Sequence, residues 1–254
     1  MKKVIGRPKY LKNVTLHYCP GCGHSIIHRL LAEVIEELNI RDRAIGVPPC
    51  GCAVLAYNYL DVDMVEAAHG RATAVATGMK RCLPDRVVFS YQGDGDLAAI
   101  GTSELIHCAN RGERITAIFV NNGVYGMTGG QMAPTTLVGQ KTTTSPSGRD
   151  ARNDGAPLKM CEFLAPLEGT SFLARGSVHS AKHILKTKKY IRDAFQSQMD
   201  DEGFAMVEIL SPCPSNWKLS PVDSCRWIET EMIDYYPLGV VKDRNGQEEG
   251  TDKS

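Results

Sequence analysis

Two apolar runs separated by one predicted helix constrain the fold of this chain more than any other feature of its sequence. Residues 86–92 (RVVFSYQ) and 115–121 (ITAIFVN) have the length and continuous hydrophobicity of buried strands. Residues 97–110 between them show helical periodicity, and Arg111-Gly112 closes that helix. This order predicts a βαβ unit with two neighbouring parallel strands.

The same alternation of strands and helices extends over most of the chain. Ser25 suits the N-cap of the first predicted helix. The predicted elements are helices at residues 25–38, 70–81 and 181–198, and further strands at residues 43–47, 171–175 and 204–210. We therefore predict an α/β fold, in which a parallel sheet carries helices on both faces.

The remaining segments define the expected domain organisation. Residues 126–157 are rich in Gly, Thr, Ser and Pro without a clear period, and a loop of this length inside a compact domain is usually functional or disordered. Residues 1–241 are expected to form one domain. Residues 242–254 (KDRNGQEEGTDKS) contain too little apolar surface to pack, so we expect a polar tail that is frayed or that holds a partner.

Composition excludes several classes of partner. Lys+Arg and Asp+Glu both total 29, so no net charge attracts nucleic acid or an anionic membrane. No apolar run approaches the roughly 20 residues of a spanning helix, and the start MKKVIGRPKYLKN lacks the apolar core of a secretion signal. We expect a cytoplasmic protein that binds neither nucleic acid nor a membrane.

Polar side chains follow both strands of the βαβ unit. Asp94 lies in a GDGD sequence directly after the first strand, and Asn122 ends the NN pair after the second. The carboxyl ends of adjacent parallel strands open on one crevice, so these two side chains are expected to meet. They supply the hard oxygen ligands that Mg²⁺ prefers, with phosphate oxygens completing its shell. Gly93 and Gly95 allow the backbone to approach a diphosphate closely.

Each of these motifs alone is most often only a turn after a strand. Together, a GDG after one strand and NN after the next resemble the thiamine diphosphate signature of transketolase-like and pyruvate decarboxylase-like enzymes. This resemblance implies that the backbone carbonyl of Val124 is a third protein ligand of the magnesium ion. For Asp96, the second acid of GDGD, we prefer the simpler role of a helix N-cap.

Cysteines form a second group of candidate ligands. Cys19 and Cys22 form a CxxC before the first helix, Cys50-Gly-Cys52 follows the first strand, and Cys213 follows the strand at residues 204–210. Four such thiolates can hold zinc or an iron–sulfur cluster. Zinc ribbons usually bring a second CxxC, and its absence here favours a cluster. The four remaining cysteines are interpreted as small buried hydrophobes: Cys82, Cys108, Cys161 and Cys225.

Both groups of residues lie in motifs that resemble one family. The motifs CPGCGH, GCAVLAYNY, AAHGRATAVATGMKR, SYQGDGDLAAIG, NNGVYGMTGGQ and SPCPSNW, in this order, resemble the β subunit of 2-oxoacid:ferredoxin oxidoreductases. The resemblance covers residues 18–237 and is strongest for members that act on 2-oxoisovalerate or 2-oxoglutarate. It implies a [4Fe-4S] cluster held by Cys19, Cys22, Cys52 and Cys213. Cys52 is preferred over Cys50 because it precedes AVLAYNY, as the family's ligand does.

The resemblance also implies a reaction and a set of partners. A 2-oxoacid, coenzyme A and oxidised ferredoxin would give acyl-CoA, carbon dioxide and reduced ferredoxin, with thiamine diphosphate as the cofactor. In the family, the glutamate that activates the cofactor comes from the α subunit. We therefore assign no catalytic side chain to this chain and expect it to be inactive in isolation. Ferredoxin-like γ and δ subunits are further expected partners.

Two shorter segments are assigned to the site with a plainer alternative beside each. His69, Gly70 and Arg71 precede a helix of small residues and are expected to reach the diphosphate or the substrate carboxylate, although a solvated turn explains them equally simply. Met127 and Thr128 follow the metal loop and are expected to border the cofactor or substrate, with a flexible connector as the alternative.

Substrate class and overall function remain open at this point. Some relatives carry lysines in the loops that correspond to residues 53–55 and 127–129, and this chain has none there, which favours an apolar 2-oxoacid over 2-oxoglutarate. A non-oxidative thiamine diphosphate-dependent decarboxylase subunit is the main alternative, although the CxxC with the distant Cys213 argues against it. A zinc-binding assembly protein would leave the GDGD and NN pair unexplained.

Overall fold

A seven-stranded sheet lies at the centre of the computed structural model, which describes residues 6–244. The strands are β1 (Ala44–Val47), β2 (Asp63–Met64), β3 (Val87–Gly93), β4 (Thr116–Asn121), β5 (Val124–Tyr125), β6 (Gln131–Met132), β7 (Thr170–Ser177), β8 (Phe204–Leu210) and β9 (Gly239–Asp243). The helices are α1 (His24–Glu37), α2 (Ala72–Cys82), α3 (Thr102–Asn110), α4 (Ala151–Asp154), α5 (Met160–Leu164), α6 (Ala181–Met199), α7 (Pro214–Trp217), α8 (Pro221–Trp227) and α9 (Ile233–Tyr235).

The strand order of the large sheet is β2-β1-β3-β4-β8-β7-β9. Every neighbouring pair is parallel except β7 and β9, which run antiparallel at one edge. Strands β5 and β6 form a separate two-stranded sheet. The predicted α/β class with a parallel sheet is confirmed, and the antiparallel edge strand is an addition to it.

Helices cover both faces of the sheet, as predicted. Alternate residues of β3 point to opposite sides, so Val87 and Phe89 enter a core with α1 and α6. Val88 enters a second core with α2, α3 and α5. Both faces are therefore sealed by apolar packing, and polar side chains are left to collect where the strands end.

Three predicted helix starts differ from the structure, and the helix predicted from residue 70 begins at Ala72. Helix α1 begins at His24 with Gly23 at its N-cap, and the hydroxyl of Ser25 instead donates to the carbonyl of Cys22 at 3.1 Å. The helix predicted at residues 97–110 is a π-helical turn, Asp96–Ile100, followed by α3. Gly101 lies between the two. A larger residue would not fit there, because a Cβ would lie 2.5 Å from the carbonyl oxygen of Asp96.

Residues 126–157 contain only β6 and α4 as regular elements, which agrees with the predicted irregular segment. The segment is nevertheless well ordered by Arg149, whose buried guanidinium donates hydrogen bonds to backbone carbonyls on both sides of it, including those of Pro134, Thr136 and Gly155. Arg149 thus contributes to holding the loop that carries part of the predicted site.

The prediction that an unpacked polar tail begins at Lys242 is wrong. Lys242 lies in β9, and its ammonium donates to the carbonyls of Ala165 at 3.0 Å and Leu167 at 2.7 Å. The rest of that prediction, for residues 245–254, lies outside the described residues. None of the helices in the described part of the chain combines the length and apolar character needed to cross a membrane.

Candidate active site

The two predicted magnesium ligands meet at the carboxyl ends of β3 and β4. These strands are parallel neighbours, with Gly93 paired to Val120, so the residues that follow them leave the sheet at one edge. The backbone amide of Asn122 donates to the Asp94 carboxylate at 3.0 Å, and both residues are buried. The predicted proximity of Asp94 and Asn122 is confirmed.

Asp94 is a buried carboxylate with neutral hydrogen-bond donors. The hydroxyl of Thr135 donates to one of its oxygens, and the amide of Asn122 donates to the other. Burial raises the pKa of Asp94 to about 7, although both hydrogen bonds act in the opposite direction. A divalent cation would offset the cost of this buried negative charge, so the residues present fit Mg²⁺.

The turn that carries Asn122 is fixed from several sides. The side-chain oxygen of Asn122 accepts from the amide of Val124 at 3.2 Å, and Gly123 adopts a φ of 66° that favours glycine. The indole of Trp217 donates to the backbone carbonyl of Asn122 at 3.0 Å. Thr135 and Trp217 are therefore site residues that sequence analysis missed.

The first asparagine of the NN pair points into the protein. Asn121 donates through its side chain to Glu208 at 2.7 Å, and Glu208 accepts from the Nε of Arg175 at 3.0 Å. Arg175 and Glu208 are both fully buried. Arg175 also pairs with Glu162 at 2.5 Å and donates to the carbonyl of Pro237 at 3.1 Å. A buried ion pair thus lies directly behind the proposed metal turn.

A cavity of about 510 Å³ opens over this edge of the sheet. Nine of its lining residues belong to the predicted site: Cys52, His69, Gly93, Asp94, Gly95, Asn122, Val124, Met127 and Thr128. The others are His24, Cys50, Gly51, Ala53, Asp96, Ile100, Tyr125 and Gly126. The metal pair, the glycine turn, the loop after Asn122 and one predicted cluster ligand therefore share one cavity.

The segment at residues 69–71 is only partly at this cavity. The ring of His69 lines it, with Nδ1 3.1 Å from the carbonyl oxygen of Cys50. Gly70 donates its amide to Asp96, and Arg71 forms an ion pair with Glu104. The structure therefore does not place Gly70 or Arg71 at the cavity, contrary to expectation.

Asp96 has a different role from the predicted N-cap. Gly95 occupies the cap position without a side-chain bond, whereas the Asp96 carboxylate accepts from the amide of Gly70 and the side chain of Gln92. Its oxygen also lies 3.2 Å from Nδ1 of His69. Burial raises the pKa of Asp96, and these three partners lower it. Asp96 thus positions one wall of the cavity.

The CxxC turn packs against the segment that carries Cys213. Gly23 donates its amide to the carbonyl of Pro212 at 3.2 Å. Gly21 has a φ of 79°, and a Cβ there would lie 2.6 Å from Cβ of Pro221 and 3.3 Å from Cγ of Pro214. Only glycine permits this close approach, which brings residues far apart in sequence to one place.

Cys52 lies near the same segment. A Cβ on Gly126 would lie 3.2 Å from the Cys52 sulfur and 3.5 Å from Nδ2 of Asn216. Burial, with smaller contributions from the nearby thiols of Cys213 and Cys19, raises the pKa of Cys52 to about 11. Burial likewise raises the pKa of Cys22 to about 12, with smaller contributions from the thiols of Cys213, Cys52 and Cys19. The four predicted thiols are therefore mutual neighbours.

The four thiols form one donor set that either a single ion or a cluster could use. Across residues 6–244, no group of three or more His, Cys, Asp or Glu side chains is gathered tightly enough to hold one metal ion. Four thiolates are the ligand set that a [4Fe-4S] cluster takes, so the residue types present fit that group.

The remaining cysteines divide into two groups. Cys108 and Cys161 are fully buried in the core with α2, α3 and α5, as predicted. Cys82 is exposed and Cys225 is half-buried, so the prediction of a buried hydrophobe is wrong for Cys82. None of these four lines the cavity among the described residues.

Comparisons with known proteins agree on one family. Residues 50–209 match the family model described as thiamine pyrophosphate enzyme, C-terminal TPP binding domain. The chain is 48% identical to ketoisovalerate oxidoreductase subunit VorA of Methanothermobacter thermautotrophicus, over 98% of this chain and 54% of that protein. The chain thus spans about half the length of this relative.

Two further relatives are covered over most of their length. The 2-oxoglutarate synthase subunit KorB of Methanocaldococcus jannaschii is 35% identical over 94% of this chain and 86% of that protein. The 2-oxoacid:ferredoxin oxidoreductase subunit beta of a Sulfolobus species is 34% identical over 89% of this chain and 69% of that protein.

One solved structure is similar over nearly the whole chain. It is the 2-oxoglutarate:ferredoxin oxidoreductase from Magnetococcus marinus with 2-oxoglutarate, coenzyme A and succinyl-CoA bound. The two share a TM-score of 0.78 and 26% identity, and the match covers 97% of this chain and 88% of that chain. The sheet and its helices are thus arranged alike in both.

Proposed function

The chain belongs to the β-subunit family of 2-oxoacid:ferredoxin oxidoreductases and carries a thiamine diphosphate-binding domain, and on this premise we propose that it binds Mg²⁺ and a [4Fe-4S] cluster beside that cofactor. The proposed activity is CoA-dependent oxidative decarboxylation of a 2-oxoacid to acyl-CoA and carbon dioxide, with reduction of ferredoxin. We assign this activity to the complete complex, to which this chain contributes a single domain that includes β9 (Gly239–Asp243) and so extends beyond residue 241.

One observation carries the proposal. Asp94 and Asn122 meet at the edge of the sheet, and Cys52, one of four neighbouring thiols, lines the same cavity. A thiamine diphosphate site alone would suit a non-oxidative decarboxylase. Thiols beside it supply a place for a group that accepts single electrons, which an oxidative reaction needs.

Each chain residue has a binding role in this proposal. Asp94 and Asn122 hold Mg²⁺ through side-chain oxygens, and Val124 through its carbonyl, while Gly93 and Gly95 leave space for the diphosphate. Thiamine diphosphate supplies the electron sink for decarboxylation, and the cluster supplies a route for single electrons. The four proposed cluster ligands are Cys19, Cys22, Cys52 and Cys213.

We propose an apolar 2-oxoacid, such as a branched-chain one, as the substrate. Ala53, Ile100 and Met127 contribute apolar surface to the cavity, and none of the lining residues in the described part of the chain is Lys or Arg. A second carboxylate, as in 2-oxoglutarate, would therefore meet no Lys or Arg among the described lining residues. A substrate panel in which 2-oxoglutarate gave a higher kcat/KM than branched 2-oxoacids would contradict this assignment.

Partner chains complete the proposed enzyme. We propose an α subunit that supplies the activating glutamate, ferredoxin-like γ and δ subunits, and soluble ferredoxin as the electron acceptor. The complex is proposed to work in the cytoplasm, without nucleic acid or membrane partners.

Anaerobic purification of the complex tests the proposal. Iron and acid-labile sulfide should be present in amounts that correspond to a [4Fe-4S] cluster held by this chain, and EPR should show a reduced cluster after 2-oxoacid and coenzyme A are added. Cys213→Ser should lower the iron content, whereas Cys225→Ser should not. An iron-free complex that still decarboxylates the substrate would instead establish the non-oxidative alternative.

A further inference from the structure

Helix α7 follows directly after the proposed cluster ligand Cys213, which is its N-cap residue, and places Asn216 against the Cys213 sulfur. The side-chain amide of Asn216 donates to this sulfur at 3.3 Å. Cys213 and Asn216 are three residues apart, one turn of this short helix. The thiol therefore receives an N–H donor from the side chain of Asn216.

The same amide group reaches the loop that follows the metal turn. Nδ2 of Asn216 donates to the carbonyl of Gly126 at 3.0 Å, and a Cβ on Gly130 would lie 3.0 Å from its Oδ1. Glycines at both positions thus let this loop lie directly on Asn216. The residue lies between a proposed cluster ligand and the wall of the cofactor cavity.

The next residue extends this connection to the metal turn. Trp217 donates through its indole nitrogen to the carbonyl of Asn122 at 3.0 Å. Within α7, the side chain of Asn216 therefore contacts a proposed cluster ligand, and the side chain of Trp217 contacts Asn122, a proposed magnesium ligand. These contacts hold the side-chain amide of Asn216 in a fixed position.

A donor fixed at a cysteine sulfur affects a cluster in a defined direction. Reduction adds one electron and takes a [4Fe-4S] cluster from its 2+ to its 1+ state, which increases the negative charge on its sulfurs. N–H groups that point at a sulfur stabilise that charge, and such hydrogen bonds are among the factors that set cluster potentials.

This inference rests on the proposed function. We propose that Asn216 is a positioning residue that raises the reduction potential of the cluster by donating a hydrogen bond to the Cys213 sulfur. Asn216 at the same time holds the Gly126–Gly130 loop beside Cys213. The electron comes from oxidation of the 2-oxoacid at the neighbouring cofactor and leaves to ferredoxin. Without Asn216, the cluster would accept this electron less readily.

The test is an EPR-monitored redox titration of the whole complex, poised with dithionite and mediators. Asn216→Ser removes the side-chain amide that donates to the Cys213 sulfur, and Asn110→Ser at the exposed end of α3 is the matched control. We expect up to a tenfold shift of the equilibrium against reduction in Asn216→Ser, which is about 59 mV lower for a one-electron couple. Asn110→Ser should leave the potential unchanged.

A second measurement uses the unaltered protein, in case Asn216→Ser does not retain its cluster. In complex labelled with ¹⁵N-asparagine, pulsed EPR of the reduced cluster should show a ¹⁵N coupling transmitted through the N–H···S bond. An unchanged potential in cluster-loaded Asn216→Ser, or no ¹⁵N coupling in the unaltered complex, overturns the role of Asn216 alone. An unchanged iron content in the Cys213→Ser complex would overturn the proposed cluster of this chain together with this inference.

Discussion

At the scale of single residues, Asp94 provides the charge at the proposed metal site. Its carboxylate is 2% exposed, and its contacts with Thr135 and Asn122 are neutral hydrogen bonds. Asn122 and the carbonyl of Val124 contribute only dipoles. The affinity for Mg²⁺, and through it for the diphosphate, should therefore depend on this one side chain.

Asp94→Ala should abolish magnesium-dependent binding of thiamine diphosphate, because the remaining ligands carry no charge. The measurement is isothermal titration of the cofactor-free complex with thiamine diphosphate and Mg²⁺. Asp85→Ala, at an exposed position before β3, is the control and should bind normally. If Asp94→Ala kept the affinity of the unaltered protein, Asp94 would not be a metal ligand.

The choice between Cys50 and Cys52 is also decided at single residues. Cys52 is half-buried behind Gly126 and lies near the thiols of Cys213 and Cys19. Cys50 is exposed, and its carbonyl oxygen lies near His69. Both residues line the cavity, so that position alone does not distinguish them. The greater burial of Cys52 and the thiols near it favour Cys52 as the cluster ligand.

Cys52→Ser should reduce the iron and sulfide content of the anaerobically purified complex, whereas Cys50→Ser should leave both unchanged. Serine preserves the size of the side chain and removes the soft thiolate that binds iron. The opposite pattern would move the third cluster ligand to Cys50.

At the scale of secondary structure elements, β7 and β8 support the metal turn through a buried ion pair. Arg175 on β7 and Glu208 on β8 face each other in register, and Glu208 also accepts from Asn121 at the end of β4. A buried pair adds little net stability, but removing one partner leaves the other charge uncompensated.

Arg175→Met should therefore destabilise the protein by about 3–5 kcal/mol. Arg175→Met combined with Glu208→Gln should cost less, because no unpaired charge remains buried and the amide oxygen still accepts from Asn121. Equilibrium urea unfolding measures both. Arg226→Met, in an exposed pair with Asp223, should change stability by no more than about 0.5 kcal/mol. Equal losses in the single and double variants would contradict the role assigned to this pair.

Continuous apolar runs made most elements predictable from sequence. Strands β4 and β8 were predicted to within a residue, since burial on both faces of a parallel strand leaves a local signature. The N-cap assigned to Ser25 was wrong because Gly23 is held by Pro212, a contact from across the fold. Strand β9 was missed for a similar reason, since its half-exposed residues pair with β7 in three dimensions.

In the candidate site, too, the predictable residues are those placed by a local sequence pattern, and the others are placed by contacts across the fold. The meeting of Asp94 and Asn122 was predictable because adjacent parallel strands deliver their carboxyl ends to one edge. The partner of Asp94, Thr135, lies 41 residues along the chain inside an irregular loop, and no periodic pattern indicates it. Asp96 was misassigned because its partners, Gly70 and Gln92, are brought to it by the packing of α2 against β3.

At the scale of the whole molecule, the described residues of the cavity supply only part of the proposed active site. Its acidic side chains within the described residues are Asp94 and Asp96, and no glutamate lines it. Asp94 is assigned to the metal, and Asp96 is engaged by Gly70 and Gln92. Two apolar side chains at the cavity, Met127 and Ile100, are 61% and 50% exposed, as expected for a surface that another chain covers.

The isolated chain should therefore bind thiamine diphosphate and Mg²⁺ but show no 2-oxoacid oxidation, since no glutamate of residues 6–244 lines the cavity. Adding the separately purified partner subunit should restore ferredoxin reduction, and the same partner with its activating glutamate changed to glutamine should assemble without restoring it. The measurements are 2-oxoacid-dependent ferredoxin reduction and cofactor titration on the same samples. Turnover by the isolated chain would show that the activating acid lies within it, with Asp96 then the first residue to substitute.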